Sequence, residues 1–110
     1  MNEQITRLLA ERRPAVDDLC RHLGVSQLDL FGSATGDGWE AGRSDLDFVV
    51  RFRSQPGRGL LDTYLALADG LEKIFGCRVD LVTEKSIRNP CFRQTVEASR
   101  NHVYADSEAA

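Results

Sequence analysis

A chain of 110 residues, 42% hydrophobic and 28% charged, has the size and balance of one ordinary globular domain; this excludes a second folded unit of any substance and lets a core form without disulfide or metal staples. Its net charge of −3 argues against direct nucleic-acid binding, which relies on clustered Lys and Arg, and leaves room for a small anionic ligand if a metal intervenes. No stretch approaches the roughly 18 uninterrupted apolar residues of a membrane span, and MNEQITRLLAERR lacks the apolar region of a signal peptide, so a cytoplasmic protein without membrane contact is expected.

Ile5, Leu8, Leu9, Val16, Leu19 and Leu23 recur at helical steps. Pro14 interrupts them, and the spacing predicts two short helices, or a kink near Arg12 to Pro14, ending at Gly24. Val25 to Phe31 reads as a strand, GSATGDGWEAGRS as a loop and Asp45 to Phe52 as a second strand. After the SQPGRG break, Leu60, Leu61, Tyr64, Ala68, Leu71, Ile74 and Phe75 mark a helix of about four turns that Gly76 stops. Cys77 to Val82 is a third strand. Asn89-Pro90 reads as an N-cap and first helical position, with Phe92 and Val96 on the apolar face, and HVYA as an edge strand.

The domain is expected over residues 1–105, with 106–110 a frayed polar tail. The fold class is α+β, a small mixed β-sheet with helices on one face, the span from Phe52 to Gly76 permitting a parallel crossover. Cys20, Cys77 and Cys91 are odd in number and widely spaced, which suits reduced thiols.

Strand alternation puts Asp45 and Asp47 on one face and Leu46, Phe48, Val50 and Phe52 on the other. Val79 and Leu81 belong to the same core face, so Asp80 joins the two aspartates. With 10 Asp in the chain, about 0.9 Asp-x-Asp matches arise by chance, but Gly-Ser and Asp-x-Asp at one fixed spacing arise only about 0.005 times. Unrelieved, three such carboxylates repel and raise their own pKa values; a divalent cation, best Mg²⁺ with its preference for hard oxygen ligands, resolves the conflict. Gly32-Ser33 ends the first strand, where backbone amides can take a phosphate and glycine permits close approach. The loop is neither a Walker loop nor G-x-G-x-x-G.

LFGSATGDGWEAGRSDLDFVV followed by VDLV resembles the nucleotidyltransferase superfamily related to DNA polymerase β. In length and order it is similar to the minimal nucleotidyltransferases, the MNT or MntA-like antitoxins encoded beside HEPN-domain toxins, over residues 20 to 104. The resemblance implies that Gly32 and Ser33 hold a triphosphate, that Asp45 and Asp47 ligate Mg²⁺, as two ions, and that Asp80 completes the site. It implies transfer of AMP from ATP to a hydroxyl, a tyrosine of a cognate HEPN toxin, with pyrophosphate leaving. Two departures stand out: eleven residues separate Ser33 from Asp45 where relatives have ten, and Ala34-Thr35-Gly36 replaces an Arg that many carry, for which Arg43 is the candidate substitute. The altered loop keeps open a non-catalytic antitoxin acting by occlusion; transfer to a small molecule, which usually needs a further domain, ranks last. Trp39 either stacks on the base or anchors its loop. His22 and His102 have no partner at ligand or catalytic spacing, Tyr104 reads as packing, and Arg51, Arg53 and Arg58 as a solvated basic edge.

Overall fold

The computed structural model describes residues 3–36, 38–40, 43–53 and 59–106. The elements are α1 (Glu3–Leu23), β1 (Val25–Phe31), a 3₁₀ turn (Gly32–Thr35), β2 (Leu46–Phe52), α2 (Leu60–Phe75), β3 (Val79–Thr83), a second 3₁₀ turn (Glu84–Ser86), α3 (Pro90–Ser99) and β4 (Asn101–Ala105).

The sheet is mixed, in the order β3-β2-β1-β4. β1 runs antiparallel to β2 and to β4, and β2 parallel to β3 through the α2 crossover. Alternation sorts the side chains as expected: Leu28 and Leu30 of β1, Leu46, Phe48 and Val50 of β2 and Leu81 of β3 form the main core with Ile5, Val16 and Cys20 of α1 and Leu67, Leu71 and Phe75 of α2. The helices cross closely at Gly70, where a side chain would meet Leu19 Cδ2 at 2.7 Å.

Three expectations need correction. Of the two alternatives at Pro14, two short helices are not found: α1 is one helix with Pro14 inside it, because the apolar residues on both sides of the proline pack into one core, while Pro14 and Ala10, whose carbonyl loses its helical donor, are exposed. The helices do not all share one face: α3 lies across the sheet from α1 and α2, where Val96 joins Phe31, Val49 and Ile87 in a second small core. Among the described residues the sheet contributes Phe31, Val49 and Val82 to that small core, enough to seat one short helix. Asp106, assigned to the tail, is held by its amide on the Ser26 carbonyl at 2.9 Å and by an ion pair with Arg53; residues 107–110 lie outside the described residues.

Asn89 caps α3 as expected, its side-chain oxygen accepting from the amides of Cys91 (2.8 Å) and Phe92 (3.4 Å). The three cysteines are free thiols. Among the described residues no helix is long and apolar enough to cross a membrane.

Candidate functional site

β2 and β3 lie in parallel register with Asp47 opposite Asp80, and β1 brings Phe31 opposite Asp47. The residue after Phe31 is Gly32, with φ +78°, where a Cβ would stand 2.6 Å from Asp47 Oδ2. Glycine is required twice over, by the left-handed backbone and by the closeness of the carboxylate. The Gly-Ser turn and the aspartates therefore meet at one point on the face that α1 and α2 leave open. Asp45 precedes β2 and is exposed, as is Asp80, while Asp47 is half-buried between them.

The electrostatics show the convergence. Asp47 is pushed up to about 6, first by its loss of solvent, then by the charge of Asp80, by a hydrogen bond between the two carboxyls that needs one to keep its proton, and by the charge of Asp45. The thiol of Cys77 is raised by burial and by the charges of Asp45 and Glu72. Among the described residues no group of three or more His, Cys, Asp or Glu forms a ready metal cage. Mg²⁺ does not demand one, since it keeps waters and is commonly completed by substrate phosphates on one or two carboxylates. Hard oxygens whose mutual repulsion already raises one pKa fit such a cation.

The 3₁₀ turn is pinned from two sides. The Gly32 amide donates to Ser99 Oγ at 2.9 Å, and Thr35 Oγ1 donates to the Gly32 carbonyl at 2.7 Å. The Gly32 amide is thus engaged within the protein, contrary to the expectation of an open donor for phosphate, because the end of α3 reaches it. Ser33 is exposed. Arg43 lies at the surface, 3.6 Å from Glu40. Trp39 is 2% exposed within the main core, so it anchors the loop. Asp37, Ala41 and Gly42 of the same loop lie outside the described residues.

Other polar side chains find partners. His102, expected at the surface, is exposed there, and its Nδ1 lies 2.7 Å from Asp29 Oδ1. Arg51 pairs with Glu84 at 3.2 Å, so the basic edge is part of an ion-pair network; Arg58 lies outside the described residues. Ser99, with no signal in local spacing, is the residue that sequence reasoning missed at the site; 67 positions separate it from Gly32.

Comparison with known proteins gives a consistent picture. The profile of the nucleotidyltransferase domain matches residues 13–103. A protein of Methanocaldococcus jannaschii, provisionally named a protein adenylyltransferase, is 36% identical over 101 residues, which is 91% of this chain and 95% of that protein. A solved structure provisionally described as a minimal nucleotidyltransferase is 33% identical and superposes with a TM-score of 0.66 over 92% of this chain and 95% of its own. A likeness of fold extends to a tri-AMPylated HEPN toxin of Shewanella oneidensis in complex with MNT antitoxin, with a TM-score of 0.61 at 18% identity over 92% of this chain and 76% of that one.

Proposed function

The chain belongs to the nucleotidyltransferase domain family and is a nucleotidyltransferase; from that premise we propose that it transfers AMP from ATP to a tyrosine hydroxyl of a HEPN-domain toxin and thereby acts as the antitoxin. The observation that carries the reading is the opposition of Asp47 and Asp80 in register, with the Gly32 backbone against Asp47. The 36% identity to a protein provisionally named an adenylyltransferase supports adenylyl transfer. The likeness of fold to an antitoxin complexed with an AMPylated HEPN toxin supports the partner.

Asp45 and Asp47 would hold Mg²⁺, with Asp80 completing the set. Bound there, Mg²⁺ supplies counter-charge for the phosphates and the leaving pyrophosphate. Gly32 and Ser33 receive the triphosphate, through the Ser33 hydroxyl and the close approach that glycine allows, and Arg43, exposed beside Glu40, adds a phosphate contact. Asp80 orients the acceptor hydroxyl and takes its proton as the oxygen bonds to the α-phosphorus and the bond to the β-phosphate oxygen breaks.

Incubating the toxin with this protein, ATP and Mg²⁺ is expected to add about 329 Da per AMP to the toxin, from the chemistry of the transferred group. Toxin inactivation should persist after separation. Asp80→Asn should remove the adduct and leave the complex. An unmodified toxin, inhibited only while bound, would instead establish occlusion, the reading that the engaged Gly32 amide favours.

A further inference from the structure

β3 carries Asp80 and is a strand of five residues that, among the described residues, lies at the sheet edge and pairs with β2 alone. Its ladder phase follows from one bond: the Leu46 amide donates to the Arg78 carbonyl at 2.9 Å. In a parallel ladder the peptide groups of alternate residues face the same neighbour. Asp80 therefore turns its amide and carbonyl toward β2, and Val79 and Leu81 turn theirs to the open edge.

Both flanking positions at that edge are met by α2. The Val79 amide donates to Glu72 Oε2 at 3.1 Å, and the Tyr64 hydroxyl donates to the Leu81 carbonyl. Tyr64 and Glu72 stand about two turns apart on one helix, and α2 runs back along β3 after crossing from β2. The two bonds straddle Asp80. Packing alone asks nothing of this kind: Leu67, Leu71 and Phe75 already seat α2 on the core.

Building on the role of Asp80 proposed above, we propose that Tyr64 and Glu72 are positioning residues for the transfer reaction, clamping β3 on either side of Asp80 so that its carboxylate stays opposite Asp47. An edge strand held from one side can slip or fray, and a carboxylate that takes a proton in the transition state must hold its geometry to fractions of an ångström. The clamp acts on that step. Nucleotide binding draws chiefly on Gly32, Ser33, Asp45 and Asp47, all outside β3, so the clamp bears on kcat far more than on the KM for ATP.

The test uses the full chain with ATP, Mg²⁺ and the toxin. Tyr64→Phe/Glu72→Leu is expected to lower kcat tenfold or more, with the KM for ATP within twofold of the parent, at a temperature where both proteins are fully folded. Tyr64→Phe/Glu72→Gln, which keeps an acceptor for the Val79 amide, should recover most of the Glu72 contribution. Amide exchange at Val79 should accelerate in the leucine variant and remain slow in the glutamine variant. Unchanged kcat in the leucine variant overturns the proposal, as does a KM that rises in step with the fall in kcat or a glutamine variant no better than leucine. If the double variant does not fold, Tyr64→Phe and Glu72→Leu tested singly face the same criteria. Asp80→Asn is assayed alongside: full activity there defeats the role of Asp80, and Val79 exchange still decides whether the clamp exists.

Discussion

At Asp47 the folded chain holds a carboxylate where solvent is scarce and two other carboxylates are near. The sign of the consequence follows from linkage: a carboxyl raised from 3.8 to about 6 on folding binds more protons in the native state, so its stabilising influence is complete below pH 4 and is lost as pH rises through 6. Two units correspond to about 3 kcal/mol, and screening at a half-exposed site cuts this to about 1–2 kcal/mol. In EDTA, urea unfolding should therefore show the protein gaining stability from pH 7.5 to pH 5, and Asp47→Asn should flatten that trend and be the more stable protein at pH 7.5. Mg²⁺ should raise the Tm of the parent and leave the variant unmoved, and transfer should fall about 10²-fold or more with the lost metal ligand. A variant with parental activity, or a parent whose stability ignores pH across this window, contradicts the assignment. These aspartates and Gly32 were legible in the sequence because their geometry is local: alternation sets the face, and strand endings set the meeting point. The bond from Gly32 to Ser99 was not, since nothing near either residue announces the other.

Elements were legible where local and tertiary preferences agree. α2 has one apolar face and a glycine at its end, and Asn89-Pro90 supplies a cap whose two hydrogen bonds are observed. They failed at Pro14, where the local preference breaks a helix and the core on both sides keeps it whole. The lost bond is the donor that residue 14 would offer to the Ala10 carbonyl. Pro14→Ala restores it with a residue of high helix propensity, worth up to about 3 kcal/mol, against about 0.4–1 kcal/mol of unfolded-chain entropy that proline restricts. Since Ala10 is exposed, solvent can offset part of the lost bond, and a net gain of about 1–2 kcal/mol is expected, or several degrees in Tm by calorimetry. A lower Tm would mean that the α1 geometry depends on the proline. The placement of α3 was illegible for a different reason, since an amphipathic pattern tells which side of a helix is buried and says nothing about which face of the sheet buries it.

Across the whole molecule, the two faces of the sheet are held by different means. One carries the large core with α1 and α2. The other has a small apolar patch under α3, the open site, and a polar network in which Arg100 donates to Asp29 at 2.6 Å and to Glu84 at 2.7 Å. Asp29 is 0% exposed and also receives Gln27 at 2.7 Å. Glu84 further pairs with Arg51 and Arg93, so one cluster ties β1, β2, α3 and the turn after β3 together. Burial of Arg100 opposes its charge, but its bonds to Glu84 and Asp29 outweigh that and raise its pKa. Removing Arg100 leaves the fully buried Asp29 carboxylate with Gln27 and His102 against it but without its guanidinium, and Arg100→Met should cost up to about 3–5 kcal/mol, a large part of the roughly 5–15 kcal/mol that holds a domain of this size. Urea unfolding should show a lower midpoint with an unchanged slope. Asp29→Leu added to Arg100→Met removes the stranded charge and should recover part of the loss, because a buried ion pair is dearer to break than to replace with apolar side chains. Since Arg100 follows Ser99, whose hydroxyl holds the Gly32 amide, Arg100→Met should also accelerate exchange of that amide. If stability and exchange at Gly32 both stay at parental values, the network is a surface ornament, and α3 is held by Val96 and its apolar neighbours alone.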